Sequence, residues 1–434
     1  MKRTILRPLA ASSIIIALGA CTSGMRAPEL SLGQAIADST AIRGDIAYLA
    51  NDRLEGRLTG TPGNDSAAAY IARRYAALRL RAPYPGYYQN FVARPAAAAH
   101  TGDTTGLVTR NVVAILPGSD PAAKGQYIVL GAHFDHLGKS AQFSLDPEAK
   151  DAIRNGADDN ASGTAAILQL ARMLSVVRPR HSIIFVNFSG EEEGLLGSQY
   201  FVDNSPVPLD SIVTMLNFDM VGRLKDKKLF VYGTATATEL AALVDSANTR
   251  SPPEFSLQGG GDGFGSSDHA SFYAKNIPVL HFFTDSHEDY HRATDDVEKI
   301  NAAGEAGVVN LALRLVKSID ARPTRLSFVR STTPSRMSTS RSQGSQVFLG
   351  SVPDMSAGTV PGLRLTGVRP GSPAEKGGLA ANDIIVELGG VAVADLQGYS
   401  DALYAHKPGD VVKVVFLRDG KRMETSVTLG SRGG

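Results

Sequence analysis

The chain has 434 residues, of which 43% are hydrophobic, a proportion typical of proteins that build packed cores. Lysine and arginine together number 44, and aspartate and glutamate together number 43. Neither sign of charge dominates, so the composition gives no indication of a nucleic-acid partner or an acidic membrane surface. We predict a folded protein whose function depends on local sites.

The N-terminus has the pattern of a secretory signal. Lys2, Arg3 and Arg7 precede an apolar stretch that ends in small residues directly before Cys21. This stretch is shorter than the roughly 20 residues that a permanent transmembrane helix needs. Cys21 is the only cysteine of the chain, and its segment LGAC resembles the bacterial lipoprotein box, in which the cysteine is lipidated and becomes the mature N-terminus.

This resemblance implies an exported protein that is anchored to a bacterial membrane by a lipid on Cys21. Thr22 follows the cysteine where an aspartate would favour the inner membrane, so the outer membrane is expected. The alternative is a plain signal peptide with a leftover thiol. We assign residues 1–21 to the signal and residues 22–40 to a tether.

Residues 41–320 are predicted to form an α/β domain. Short apolar strands such as YIVLGAHFD and SIIFVNFSG alternate there with helical patterns, as in residues 167–174. This alternation predicts a mixed, mostly parallel central sheet with helices on both faces. The amphipathic segment at residues 300–319 is expected to close the domain as a long helix.

The remainder of the chain is predicted to contain a linker and a second, smaller domain. Residues 321–344 are rich in serine, threonine and arginine, and they have too few apolar side chains to fold alone. Residues 345–432 contain several short strands and one short helix, which predicts a small β-rich domain.

Acidic and imidazole side chains follow the strands of the α/β domain or lie in loops beside them. Ligand sites of open α/β sheets gather at the carboxyl ends of the strands, so these groups are expected to converge on one crevice. The candidate metal ligands are His133, Asp159, Glu192, Asp219 and His291.

Imidazole and carboxylate ligands together suit zinc, and two neighbouring zinc ions need a carboxylate that bridges them. Asp159 is the candidate bridge. We predict that one zinc takes His133 and Asp219 and the other takes Glu192 and His291, with a shared hydroxide between them.

Two further acids are predicted to take part in the chemistry. Glu191 precedes a metal ligand and suits a general base that takes the proton of a water molecule and passes it to the leaving amine. Asp135 follows His133 closely, and it is expected to accept the other imidazole N–H of that ligand.

Seven ordered segments resemble the di-zinc aminopeptidase family, which also contains glutamate carboxypeptidase. They are LEGRLTGTPGN, GAHFDHLG, GADDNASG, FSGEEEGLLGS, NFDMVG, SSDHASF and DYHRATDD, and they cover nearly all of residues 45–320. The resemblance implies the zinc exopeptidase fold and two zinc ions. It also implies that Asp159, and not Asp158, is the bridge, that Glu191 is the base, and that Glu193 lies outside the ligand set.

The resemblance implies roles for several remaining residues. Some family members have a tyrosine before the final histidine that hydrogen-bonds the tetrahedral oxyanion, so Tyr290 has either this role or that of a packed loop aromatic. His281 is interpreted as a buried strand histidine. Four residues belong to matched motifs but have no ligand position left: His136, Asp268, His269 and His287.

Residues 345–432 resemble a PDZ domain, most clearly in GSPAEKGGLAANDIIVELGG. Phe348, Leu349 and Gly350 occupy the place of the loop that binds a peptide carboxylate in such domains, but Ser351 departs from the usual hydrophobic pattern. Either capture of an extended peptide end or a purely structural or docking role remains open.

We therefore predict a zinc-dependent aminopeptidase that acts on peptides. A carboxypeptidase or dipeptidase of the same family is the enzymatic alternative. A catalytically inactive, peptide-binding ectodomain is the alternative of another class, although all five ligands and the base are present here.

Overall fold

This computed structural model describes residues 1, 36–93, 106–140, 143–146, 149–249, 254–261, 263, 265, 267–330, 347–353, 362–368, 371–393, 398–399, 402–403 and 405–431. Cys21, most of the predicted tether and residues 331–344 of the predicted linker lie outside these ranges. Lipid attachment at Cys21 therefore stays a prediction. Within the described ranges, no helix combines the length and the apolar character needed to cross a bilayer.

The first domain is built on one sheet of eight strands, in the order β1-β2-β4-β3-β5-β8-β6-β7. Neighbours pair in parallel at β4/β3, β3/β5, β5/β8 and β6/β7, and the other pairs are antiparallel. The strands are β1 (Tyr88–Ala93), β2 (Leu107–Leu116), β3 (Tyr127–His133), β4 (Ser182–Phe188), β5 (Ile212–Phe218), β6 (Lys228–Tyr232), β7 (Ser256–Gly260) and β8 (Val279–Phe283).

Helices cover both faces of this sheet. They are α1 (Ser39–Leu49), α2 (Pro62–Ala77), α3 (Gly163–Val177), α4 (Leu196–Asp203), α5 (Leu240–Thr249), α6 (His269–Tyr273) and α7 (Ala302–Asp320). Successive strand residues face opposite sides, so Leu130 of β3 joins the core beneath α1, α2, α3 and α7, while Val129 joins the core beneath α4 and α6. The predicted mixed, mostly parallel sheet with helices on both faces is confirmed.

Local sequence signals fix where the helices begin. Thr61 caps α2 by accepting a hydrogen bond from the backbone N–H of Asn64, and Pro62 occupies the first turn. Asn301 caps α7 in the same way through the N–H of Gly304, at 2.9 Å. The long closing helix therefore forms where the sequence predicts it.

The first domain extends beyond the boundary predicted at residue 320. Leu326 is buried in the main core. Arg325 donates to the carbonyl of Ile212 at 2.7 Å, and the N–H of Val329 donates to the carbonyl of Thr236 at 2.8 Å. The start of the predicted linker thus packs on the first domain, because Leu326 and Phe328 provide apolar contacts that the Ser/Thr/Arg-rich composition conceals.

The C-terminal region forms the small β-rich domain that the sequence predicts. One sheet has the order β10-β11-β12-β14-β15, with β13 paired to β12, and β9 pairs with β16. Its elements are β9 (Val347–Phe348), β10 (Ser351–Pro353), β11 (Leu363–Val368), α8 (Pro373–Lys376), β12 (Ile384–Leu388), β13 (Val391–Ala392), β14 (Val411–Arg418), β15 (Lys421–Thr428) and β16 (Gly430–Ser431). It has a hydrophobic core of its own.

Candidate metal centre

The five predicted ligands converge at the carboxyl ends of the central parallel strands. His133 is the last residue of β3, and Asp219 directly follows β5. Glu192 lies in the turn after β4, Asp159 precedes α3, and His291 lies between β8 and α7. Because β3 pairs in parallel with both β4 and β5, the residues that end these strands reach the same edge of the sheet.

Asp159 lies at the centre of the cluster. Its Oδ1 is 3.3 Å from Nε2 of His133, and its Oδ2 is 3.2 Å from Nε2 of His291. The two oxygens of one carboxylate thus face two different imidazoles, which is the arrangement expected of a bridging ligand.

Each imidazole has a second carboxylate beside it. Oδ1 of Asp219 is 3.5 Å from Nε2 of His133, and we call His133 and Asp219 the strand half of the site. Oε2 of Glu192 is 3.2 Å from Nε2 of His291, and we call Glu192 and His291 the loop half. These are the two ligand pairs that the sequence predicts, with Asp159 between them.

The donor set fits zinc. The ligand atoms of His133, Asp159 and Asp219 lie within 4.8 Å of one another, so one ion can contact all three. Oδ1 of Asp219 is buried and has no hydrogen-bond partner among the described residues. A buried carboxylate oxygen without a partner is costly, and a cation removes this cost. Imidazole nitrogens and carboxylate oxygens are common ligands of zinc.

The charges of the site depend on one another. Burial alone would lower the pKa of His133 and of His291, but the carboxylates around them outweigh it and raise both pKa values well above the usual range. Burial opposes ionisation of Glu192 as well, yet His291 beside it lowers the pKa of Glu192 to about 2. The protonated imidazoles and the ionised carboxylates of Asp159 and Glu192 therefore stabilise one another in the metal-free site.

Glu191 lies next to the ligands. One carboxylate oxygen of Glu191 lies within 4.8 Å of donor atoms of His133 and Glu192. Burial raises the pKa of Glu191 well above its usual value. A raised pKa makes the ionised carboxylate a stronger base, which suits the role of general base.

Asp135 is placed differently from the prediction. Nδ1 of His133 is 3.7 Å from the Asp135 carboxylate, too far for a hydrogen bond, and 3.2 Å from the Asp135 backbone oxygen. The carboxylate instead accepts hydrogen bonds from the N–H groups of Glu191 (3.2 Å) and Glu192 (3.4 Å) and from the hydroxyl of Thr59 (3.0 Å). Asp135 therefore positions the turn that carries the base.

Tyr290 stacks on the ring of His291, with centroids 3.9 Å apart and an interplanar angle of 23°. This stacking agrees with the interpretation of Tyr290 as a packed loop aromatic. The interaction of the Tyr290 hydroxyl with an oxyanion stays a prediction.

His136 is closer to the ligands than the sequence indicates. It is fully buried, and its Nδ1 lies 2.7 Å from Oε1 of Glu192 and 3.7 Å from Oδ2 of Asp159. His136, Asp159 and Glu192 form a group whose donor atoms lie within 4.8 Å of one another, but the interpretation that His136 is not one of the ligands stays a prediction. The available signal was its position just after His133, in a segment that follows a buried strand.

Ser267 was not singled out by the sequence reasoning. Its hydroxyl donates to Oδ2 of Asp219 at 2.7 Å, and it accepts a hydrogen bond from the Asn217 amide at 2.8 Å. This pair fixes the second oxygen of Asp219 and leaves Oδ1 facing His133. The matched segment SSDHASF contained this residue, but nothing in it distinguished Ser267 from its neighbours.

Several residues that were not predicted to be ligands lie beside the ligand set. The carboxylate of Asp158 contacts Nε2 of His287 at 3.1 Å and accepts the N–H of Gly222 at 2.7 Å. The carboxylate of Asp158 thus forms its hydrogen bonds with His287 and Gly222, and not with the imidazole ligands His133 and His291. His281 is a buried strand histidine that stacks on His269, with centroids 4.5 Å apart.

A buried arginine joins the segments that carry the ligands. Arg57 is fully buried and donates to the carbonyls of Phe134 (2.7 Å), Leu49 (2.6 Å), Asn155 (2.6 Å) and Gly156 (3.0 Å). Phe134 follows the strand-half ligand His133, and Gly156 precedes the bridge. The matched segment LEGRLTGTPGN therefore supplies a cation that fixes two loops of the site.

The loop predicted to bind a peptide carboxylate lies between β9 and β10. Phe348 ends β9, Leu349 is buried and its carbonyl accepts the N–H of Ala374 at 2.8 Å, and Gly350 has a φ of +83°. The hydroxyl of Ser351 lies 2.5 Å from that of Tyr399. The choice between peptide capture and a structural role stays open.

Known protein families match both the domain that contains the candidate metal centre and the C-terminal β-rich domain. Residues 111–316 match Peptidase family M28, and residues 336–429 match the PDZ domain. Leupeptin-inactivating enzyme 1 of Streptomyces exfoliatus is 30% identical over 202 residues, which are 46% of this chain and 41% of that protein. An aminopeptidase of Bacillus subtilis (strain 168) is 33% identical over 157 residues, which are 34% of each chain. The chain thus matches less than half the length of either relative.

Solved structures show the same fold. The aminopeptidase from Aneurinibacillus sp. strain AM-1 aligns with a TM-score of 0.52 at 18% identity, covering 69% of this chain and 97% of that one. A zinc-dependent exopeptidase from Parabacteroides distasonis aligns with a TM-score of 0.54 at 20% identity, covering 66% of this chain and 98% of that one. The resemblance inferred from the sequence motifs is confirmed: the chain contains a Peptidase family M28 domain followed by a PDZ domain.

Proposed function

We propose that the protein is a two-zinc aminopeptidase that removes N-terminal residues from peptides. The observation that carries the proposal is the position of Asp159, whose two oxygens face two separate histidine–carboxylate pairs with Glu191 beside them. The names of the relatives, an aminopeptidase and a leupeptin-inactivating enzyme, support action on peptides.

His133 and Asp219 would hold one zinc, Glu192 and His291 would hold the other, and Asp159 would serve both. Zinc supplies Lewis acidity, which polarises a carbonyl and lowers the pKa of water towards neutrality. This chemistry is what hydrolysis of a peptide bond requires at neutral pH.

The residues of the chain supply orientation and proton transfer. Glu191 accepts the proton of the attacking water and delivers it to the nitrogen of the leaving amine. Asp135 accepts hydrogen bonds from the backbone N–H groups of Glu191 and Glu192, and so positions the base together with the neighbouring ligand. His136 and Ser267 each fix one oxygen of a ligand carboxylate.

The location belongs to the same proposal. We propose that Cys21 carries a lipid that anchors the enzyme to a bacterial outer membrane. Incorporation of a labelled fatty acid that is lost on Cys21→Ser tests the anchor. A Cys21→Ser protein that still takes up the label contradicts it.

The activity is tested with a soluble form of the chain that begins after Cys21. Peptides with a free N-terminus should be cleaved, a zinc chelator should abolish cleavage, and added zinc should restore it. Peptides with a blocked N-terminus should be inert, whereas peptides with a blocked C-terminus should be cleaved. Cleavage of only those peptides with a free C-terminus would indicate a carboxypeptidase, and absence of zinc binding would favour a binding ectodomain.

A further inference from the structure

A loop links two of the ligands of the proposed metal centre and reaches a third. Gly138, shortly after His133, pairs with Arg154, shortly before Asp159, and the N–H of Arg154 donates to the carbonyl of Gly138 at 2.8 Å. This pair closes the base of the loop. Of the residues between them, 139–140, 143–146 and 149–153 are described.

The far side of this loop contacts His291 through reciprocal hydrogen bonds. Nδ1 of His291 lies 2.8 Å from the carbonyl of Phe143, and the N–H of Leu145 donates to the carbonyl of His291 at 3.0 Å. A carbonyl oxygen only accepts, so Nδ1 must carry a proton. Nε2, the atom that faces Asp159 and Glu192, is then the nitrogen left to bind a metal.

Asp146 connects this contact to the base of the loop. Its Oδ2 accepts the N–H of Ala293 at 2.8 Å, next to the ligand-bearing turn. Its Oδ1 accepts from Arg154, at 2.9 Å from Nε and 2.7 Å from a terminal nitrogen, and from the Ser144 hydroxyl at 2.6 Å. The side chain of Arg154 is only 1% exposed, so this ion pair is largely shielded from water.

The backbone at the contact depends on these hydrogen bonds. Phe143 has a φ of +64° and His291 has a φ of +54°. Both angles lie in the left-handed region, which residues other than glycine rarely adopt. Such conformations persist where surrounding contacts hold them, and they concentrate at functional sites. Loosening the Asp146–Arg154 pair should therefore release both segments.

We propose that residues 143–146 and Arg154 form a clamp that positions His291 for the loop half of the metal centre. Asp146 and Arg154 are positioning residues in this proposal, since neither touches the substrate or a metal. The inference rests on the proposed metal centre, and it adds that one of the two ions depends on this loop whereas the other does not.

Zinc binding by the whole soluble chain tests the clamp, measured as ions bound per folded chain against a series of zinc buffers. Asp146→Asn should weaken one of the two zinc sites roughly 10- to 100-fold and leave the other unchanged, as expected if His291 loses its outer contact with the carbonyl of Phe143 when the clamp is loosened. Ser144→Ala, which keeps the ion pair, should weaken the same site by a smaller factor and serves if Asp146→Asn fails to fold.

Two further variants show whether a change in zinc affinity comes from the clamp. Asp45→Asn removes the buried, charged partner of the half-buried Arg74 in an ion pair between α1 and α2. It should leave both zinc affinities unchanged, so it controls for general loss of stability. In a His291→Ala background, Asp146→Asn should have no further effect on the remaining zinc, because a clamp that acts through His291 has nothing left to position.

The outcomes separate the two proposals. A wild-type chain that binds no zinc overturns the metal centre, and the clamp with it. A wild-type chain that binds two ions, together with an Asp146→Asn variant that binds both with unchanged affinity or weakens both equally, overturns the clamp alone.

Discussion

The two halves of the metal centre are built by different parts of the fold. In the strand half, His133 ends β3 and Asp219 follows β5, and these two strands pair in parallel with Gly131 opposite Asn217. In the loop half, Glu192 and His291 lie in segments between regular elements. Their orientation comes from side-chain and loop contacts, through His136 and the carbonyl of Phe143.

This difference shows how one site can combine two kinds of support. The backbone ladder of a central sheet is among the most stable parts of a protein, whereas loops open with little free energy. We therefore expect the strand half to tolerate changes in its surroundings and the loop half to depend on a few hydrogen bonds. The following predictions are ordered by expected effect.

Glu191→Gln should cause the largest loss of activity. It should leave zinc binding unchanged in both the strand half and the loop half. Removal of the general base is expected to lower kcat roughly 100- to 10,000-fold. Both zinc ions should remain, because Glu191 is not in either ligand pair. Steady-state kinetics and metal analysis of the same preparation provide the measurement. Loss of a zinc ion from this variant would make Glu191 a ligand.

Arg57→Met should weaken both halves together. The change removes the donor to four buried backbone carbonyls, and each buried acceptor left without a partner costs about 1–3 kcal/mol. We expect the free energy of unfolding to fall by about 3 kcal/mol or more. Denaturant unfolding of the metal-free protein measures it. An unchanged midpoint, or weaker zinc binding in one half only, would contradict a shared role.

Ser267→Ala should affect the strand half alone. The hydroxyl fixes Oδ2 of Asp219, and loss of such an outer contact typically costs roughly 10- to 100-fold in metal affinity. Ser271→Ala is a matched control, since its hydroxyl contacts Ser198 instead of a ligand. Competition against a zinc indicator gives both affinities. If Ser267→Ala weakened the site lost in His291→Ala, the assignment of halves would be wrong.

Zinc affinity should fall as the pH is lowered, with a similar slope in the two halves. Each half has one histidine whose pKa is raised in the metal-free protein, because carboxylates stabilise the protonated ring. Zinc needs the neutral ring and must displace that proton, so each site should lose about a factor of ten in affinity per pH unit. Zinc titrations between about pH 6 and about pH 8 measure this slope. A flat profile would show that the rings are already neutral.

Much of the candidate site was predictable because it follows from the order of strands along the chain. An apolar run that ends in His133, and another that is followed by Asp219, placed two ligands at one edge of a parallel sheet. The chemistry of mixed imidazole and carboxylate donors then indicated zinc. The pairing of ligands around Asp159 agrees with the distances in the structure.

The sequence was less informative about the atoms that hold the ligands in place. Asp135 was expected to support His133 because it is near in sequence, but its carboxylate turns towards the N–H groups of Glu191 and Glu192. His136 was set aside although it contacts Glu192. Side-chain direction after a strand end depends on the neighbouring loop, and sequence spacing does not specify it.

The sequence by itself determined the two domains, the sheet-edge location of the site and the identity of its donors, because burial patterns and donor chemistry are local properties. Only the tertiary structure decided which outer residues support which half. The contact of Phe143 with His291 joins positions far apart in the chain, and such contacts arise from how loops meet in space. The packing of Leu326 on the first domain has the same origin.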